Sequence, residues 1–338
     1  MYFSSTEYTK PYKISAKCYI HQVVKLFEVH LHKDELTWFK EHPQFRHFFH
    51  MHTESNHRLM GMWMLFLRTA RLQKKKECWF IVNGILIRYS LREFGLISRL
   101  DCQQYLNNCE RLGSMSFVTK YFKAGSVVTY ADVEEKLMSM TKKSFSTNRL
   151  KMAVLYFLSS IIIAKRKTGK NAPSVEQFFL RAVDDLELCK TFPWGRFAFD
   201  ENMKDIFHLM DHFRGVVGPA TIFTSFVMPL ELLAFETIPV LMNKYREPVR
   251  DVDPECPWMC KMKFRASTMK GIPLLEVYET LGENKNIQNI MVPNPDEEVL
   301  LARIMDDEEG WNDVDNAAAD GWRKRLIDER RPIWFEGE

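Results

Sequence analysis

The sequence predicts a mainly α protein: a multi-helical body with one small β-hairpin and an acidic C-terminal extension. Three observations lead there. Apolar residues recur at helical spacing over most of the stretch from Ile20 to Met242. One short segment, Cys78 to Ser90, reads instead as two β-prone runs around Asn83-Gly84. Beyond Pro248 the chain becomes richer in proline and acid and poorer in apolar residues.

Taken in order, Ile20, Val23, Val24, Phe27 and Leu31 mark one face of a first helix. A second is predicted from Lys33 to Glu41. Pro43 interrupts the pattern, which resumes with Phe45, Phe48 and Phe49. Leu59 to Leu72 reads as a mostly buried helix with Arg68 and Arg71 at its basic end. The hairpin at 78–90 turns at Asn83-Gly84, a pair suited to a type I′ turn because both positions need φ > 0. Ser90-x-x-Glu93 is a capping box that starts a helix over Leu91 to Leu100. Thr129-x-x-Asp132 is a weaker cap of the same kind, and Ser174-x-x-Gln177 is expected to cap another helix. Leu150 to Ile163 is an apolar helix ending in Lys165-Arg166-Lys167, and further helices are expected over 200–214 and 226–237, the latter stopped by Pro239. The expected organisation is a basic helical domain (1–190), a helical continuation of the same body (191–247), and a linker with an acidic C-terminal extension (248–338). Trp311, Trp322, Trp334 and Phe335 are candidates to dock that extension on the body.

The 338 residues are 46% hydrophobic and 27% charged, which supports a sizeable core and excludes a disordered chain. Seven scattered cysteines and a polar N-terminus without an apolar signal core predict a reducing compartment. The apolar run Met152 to Ala164 is 13 residues, short of the ~20 that span a bilayer, so no membrane association is expected. Net charge is +3, but it divides unevenly: residues 1–190 hold 30 Lys and Arg against 17 Asp and Glu, and residues 191–338 hold 17 against 27. A basic half beside an acidic half predicts a polyanion-binding surface or contact between the halves.

Catalytic and metal motifs are weak. Eight of the ten histidines fall between His21 and His57, with His30-x-His32 and His50-x-His52 as possible ligand pairs, yet only Cys18 is near. Solvent-facing or polyanion-contacting histidines are the better reading. His208 and His212 share a helix face but lack the Glu that a zincin places after its first His. Cys256-x-x-x-Cys260 has no second Cys pair and reads as two free thiols. No P-loop, nucleophile elbow or kinase motif set occurs. The expectation is therefore no enzyme, no metal and no cofactor.

Three basic clusters remain: Arg68, Arg71, Lys74, Lys75 and Lys76; Lys142, Lys143, Arg149 and Lys151; and Lys165, Arg166, Lys167 and Lys170. Each lies at a helix end or turn, where long cationic side chains reach phosphates. Ser144, Ser146, Thr147 and Asn148 interleave with the second cluster, and Asn148 and Arg149 are the preferred candidates for reading base edges. The alternative is an ordinary solvated surface.

The stretch Glu77 to Cys102 (ECWFIVNGILIRYSLREFGLISRLDC) resembles the signature of a plant domain of unknown function carried by transposon-derived genes. Thr191 to Ile206 (TFPWGRFAFDENMKDI) and Phe226 to Leu241 (FVMPLELLAFETIPVL) agree with it, so the resemblance spans about residues 20–245. The family has Thr-Gly where this chain has Ser98-Arg99, which removes a helix-ending glycine and puts the local turn in question. Members often precede a SUMO-protease domain, but this chain has none of that protease's His, Asp and Cys blocks. The domain is also similar to that of the VANC anti-silencing proteins of VANDAL transposons. The resemblance implies a nuclear, non-enzymatic protein that binds double-stranded DNA in its own element and counteracts DNA methylation, with chromatin or silencing proteins as further partners. The alternative is a protein–protein interaction module of a transposon-derived protein.

Overall fold

The computed structural model describes residues 1–52, 60–71, 77–123, 125–166, 169, 171–253, 255–266, 271–306, 318, 321–322, 324–331 and 333. The architecture is mainly α. In chain order, β1 (Lys13–Ala16) leads into α1 (Ile20–His30), α2 (Lys33–Glu41), α3 (Arg46–His50) and α4 (Met60–Leu67). The hairpin β2 (Cys78–Val82) and β3 (Ile85–Tyr89) feeds α5 (Leu91–Ser98), then α6 (Ser116–Tyr121), α7 (Tyr130–Ser139) and α8 (Thr147–Phe157). Next come α9 (Gln177–Ala182), α10 (Leu186–Thr191), α11 (Trp194–Phe213), β4 (Ala220–Phe223), α12 (Met228–Thr237), α13 (Pro239–Tyr245) and β5 (Arg246–Pro248). The chain continues through α14 (Trp258–Lys261), β6 (Met262–Phe264), α15 (Leu274–Leu281) and α16 (Pro295–Ile304).

The hairpin forms as its sequence dictates. Val82 pairs with Ile85 across a two-residue turn in which Asn83 and Gly84 both take positive φ, +49° and +79°. Both strands are buried on both faces. Phe80, Val82, Ile85 and Ile87 join the main core, whereas Trp79, Ile81 and Leu86 form a second cluster with Ala70. Met1, Trp322, Leu326 and Ile333 cover that second face, and Trp322 meets Trp79 edge to face at 5.7 Å. Trp322 therefore docks; Trp311, Trp334 and Phe335 lie outside the described residues. The Ser90/Glu93 box caps α5, and Glu93 also takes the buried Arg88 guanidinium at 2.6 Å. The Thr129/Asp132 box caps α7.

Five expectations are corrected. First, two further small sheets join the hairpin: β1 pairs in parallel with β4, and β5 pairs antiparallel with β6. Second, residues 248–306 are not a linker and extension. Cys256, Met259, Cys260, Ile272, Val277, Leu281, Met291, Leu301 and Met305 lie in the same core as the rest. Asn289 lies along the outer edge of β3, its carbonyl accepting from the Arg88 amide and its side-chain amide donating to the Leu86 carbonyl, and the Cys102 amide donates to the Ile304 carbonyl. Third, Ser174 does not cap a helix: it bridges to Thr129, and α9 starts after Glu176. Fourth, His42 and His47 are buried, and burial pushes each down to about 3. His42 bonds the Cys189 carbonyl at 3.2 Å and stacks on Phe45. Fifth, the Leu150 to Ile163 helix divides: α8 gives way to a π turn over Leu158–Ile162.

The turn at Ser98-Arg99 survives its missing glycine. Arg99 itself ends α5 in the left-handed region (φ +56°), where its guanidinium donates to the Glu255 carbonyl. The buried acids of the apolar 226–242 stretch are also partnered. Glu231 accepts from the Gly61 and Met62 amides at the start of α4, and Glu236 pairs with Arg246. No described helix is long and apolar enough to cross a membrane.

Candidate nucleic-acid interface

Helix α1 presents one face to the core through Ile20, Val23 and Phe27. It leaves His21, Gln22, Lys25, Glu28 and Val29 exposed. Two of the three basic clusters meet the ends of this helix. The Lys142 Nζ donates to the Val29 carbonyl at 2.7 Å, and Arg166 Nη1 reaches the Gln22 side chain at 3.4 Å. Those two contacts are seven residues apart along α1, about 10 Å at 1.5 Å per residue. The helix thus links one residue of each cluster, Lys142 and Arg166, with the exposed Lys25 between them.

The second cluster sits on the loop between α7 and α8, where Thr141, Lys142, Lys143, Ser144 and Phe145 are all exposed. Beneath it lies a buried clamp. Glu35 and Arg149 are 0% and 2% exposed at their side chains. Glu35 Oε2 accepts from Arg149 Nε at 2.7 Å, and Oε1 from Arg149 Nη2 at 2.7 Å, a bidentate pair. The same carboxylate accepts from the Ser146 amide at 2.8 Å and from the His32 amide at the start of α2 at 3.0 Å. Arg149 donates in turn to the carbonyls of Thr141 and Ser144. The loop backbone is therefore tied at 141, 144 and 146, and its exposed side chains project from a fixed frame.

This corrects the expectation for Arg149. It does not face a groove; it is the pin that holds the loop. Asn148 is half-buried in the first turn of α8. Lys151 is occupied too, bonding the Asp184 carbonyl and carboxylate, the latter at 2.9 Å. Lys165 pairs with Glu176 at 3.0 Å. The Arg166 guanidinium lies over Tyr19 and Tyr130, 5.1 and 4.7 Å from their centroids. The Tyr130 hydroxyl is held by Tyr156 at 2.8 Å, and burial raises its pKa. Lys142 and Lys143 remain solvent-facing.

The first cluster lies against other elements. Arg68 is held between the rings of Tyr8 and Tyr278, at 4.5 and 4.6 Å, and Arg71 lies over Tyr2 at 5.5 Å. Lys74, Lys75, Lys76, Lys167 and Lys170 lie outside the described residues. Lys25, Phe145 and the Glu35 partner of Arg149 were missed in the sequence. Lys25 was legible as the exposed face of an amphipathic helix, but the Glu35 pairing has no local signal.

Other candidates do not assemble. Among the described residues no group of three or more His, Cys, Asp or Glu is placed to hold a metal ion. His208 and His212 are exposed, with rings 6.5 Å apart. Cys256 and Cys260 are buried free thiols whose pKa values burial raises.

Comparison with known proteins agrees with part of the resemblance. Residues 66–205 match a family described as a domain of unknown function, DUF1985. Residues 287–337 match one described as a Drosophila protein of unknown function, DUF287. The chain is 44% identical over 336 residues to an uncharacterized protein of Arabidopsis thaliana, covering 99% of this chain and 41% of the relative. The chain thus spans about two fifths of that curated relative's length. No solved structure matches it. The DUF1985 match contains the hairpin, α5 and the clamped loop, while the Phe226 to Leu241 block lies outside it.

Proposed function

We propose that this chain is a non-enzymatic, nuclear protein that binds double-stranded DNA through the strip formed by α1 and the loop between α7 and α8. The observation that carries this reading is the meeting of two basic clusters along one helix, one of them on a loop clamped from beneath. A fixed frame lowers the ordering cost of binding. The two ends of the strip lie about 10 Å apart, close to three base-pair rises of 3.4 Å. Lys142 and Lys143 would contact phosphates, with Lys25 and Arg166 continuing the track. Phosphate contacts position a protein without reading sequence, so specificity would need additional contacts to base edges. The likeness to VANC proteins supports anti-silencing at the chain's own element as the biological role.

Fluorescence polarisation against a labelled duplex at several salt concentrations tests the binding. About four phosphate contacts predict a slope of log K against log salt near −3.6. A slope near zero, or no binding at low salt, refutes the reading. A protein-interaction module is the second reading, favoured by the exposed Val29 and Phe145 beside the lysines. Capture of proteins that survives nuclease treatment, with no duplex binding, would establish it instead.

A further inference from the structure

Phe145 stands apart from the aromatic residues of the core. It is 49% exposed, while Phe27, Phe39, Phe45 and Phe157 are fully buried. Its neighbours explain why it stays outside. The Ser144 carbonyl is bound by Arg149 and the Ser146 amide by Glu35, so the backbone is pinned on both sides of the ring. Phe145 cannot fold inward without breaking bonds to a buried ion pair, and burying that pair unsatisfied is costly. Lys142 and Lys143 precede it, and the exposed Val29 lies where Lys142 meets α1. The result is an exposed apolar ring on a held backbone, two and three residues after two exposed lysines.

We propose that Phe145 is a base-stacking wedge: the clamped loop sets the ring against an unstacked or easily kinked step of bound DNA while Lys142 and Lys143 hold the flanking phosphates. Apolar side chains inserted between base steps, anchored by nearby cations, are an established physical mode of contact, and they favour steps that separate cheaply. With the backbone held at 144 and 146, only the side-chain torsions of Phe145 remain to be ordered on stacking, which lowers the cost of that contact. The inference rests on the DNA-binding reading above and adds to it a residue and a preference.

Polarisation titrations compare a fully paired duplex with the same duplex carrying one central mismatch. The wild-type chain should bind the mismatched duplex roughly 5- to 150-fold more tightly, the range of one base–aromatic stack. Phe145→Ala should abolish that preference, so that the variant binds the paired and the mismatched duplex alike, and it should stay folded because the ring is exposed and its loss opens no core cavity. Phe145→Trp should keep the preference. Lys142→Ala with Lys143→Ala should weaken both duplexes alike and reduce the salt slope by about 2. Equal binding of the two duplexes by the wild type, or an unchanged preference in Phe145→Ala, overturns the wedge while leaving DNA binding intact. Failure of the wild type to bind either duplex overturns the DNA reading itself. Thermal melting followed by circular dichroism confirms that each variant is folded.

Discussion

Replacing Glu35 by Gln removes one charge from the clamp and keeps its shape. Arg149 is then left buried with no counter-ion, because its other partners are the neutral carbonyls of Thr141 and Ser144. Removing one member of a buried ion pair costs about 3–5 kcal/mol. At about 2.1 cal/mol/K per residue, a chain of 338 residues has a melting entropy near 0.7 kcal/mol/K. The melting temperature should therefore fall by about 4–7 °C in differential scanning calorimetry. Arg149→Met should cost a similar amount by stranding the Glu35 carboxylate. Combining the two should cost clearly less than their sum, since each single change already breaks the same pair. Duplex affinity should fall on the order of tenfold in both single variants although neither residue is exposed, because the loop is no longer held for binding. Single variants melting within 1 °C of the wild type, or a double variant that is simply additive, would refute the clamp. Lost stability with unchanged DNA affinity would refute the loop's place in the interface.

Four other outcomes follow from the packing. His42 and His47 titrate at about 3 when folded against about 6.5 when free, so the unfolded chain takes up protons that the folded chain cannot. Stability should hold above pH 6.5 and decline below it by up to about 1.4 kcal/mol per pH unit for each histidine. Urea midpoints from pH 7.5 to 5 measure this, and an unchanged pH slope in a His42→Phe, His47→Phe variant would contradict it. Gly195→Ala would place a Cβ 2.6 Å from the Asp101 carbonyl oxygen and 2.8 Å from that of Leu100, so a loss above about 3 kcal/mol is expected. Gly271→Ala, with no atom of the described residues within 4 Å of the added Cβ, should melt like the wild type, and equal melting of both variants would count against the packing described. Trp322→Ala should lower stability by about 2 kcal/mol by uncovering Trp79, checked by chemical denaturation; no loss would mean that the cover over the hairpin's second face is not held by that ring. Deleting residues 290–338, which a detachable acidic tail would tolerate, should instead unfold the chain, because Met291, Leu301 and Met305 are core residues.

Short-range chemistry was legible and long-range pairing was not. Asn83-Gly84, Ser90/Glu93 and Thr129/Asp132 act within three residues of chain, so their geometry can be read from spacing alone. The cap expected at Ser174 failed because a long-range bridge to Thr129, within the same chain, takes its place. The glycine expected after Ser98 was dispensable because Arg99 gains a carbonyl partner near residue 255 to offset its left-handed backbone. Composition made residues 248–338 look like a surface extension, although their sparse apolar residues are the ones that reach the core.

The sequence by itself determined a mainly helical chain, the position and turn of its hairpin, two of its helix starts, and an excess of cations in its first half. These depend on local propensity, periodicity and counting. Only the tertiary structure decided which cations face solvent. It placed Arg149 under a loop by pairing it with Glu35, 114 residues away, tied Lys151 and Lys165 to acids, and left Lys142, Lys143 and Phe145 outside. The physical reason is that a charge is made structural or available by the partner that desolvates it, and that partner is set by the fold rather than by its neighbours in the chain.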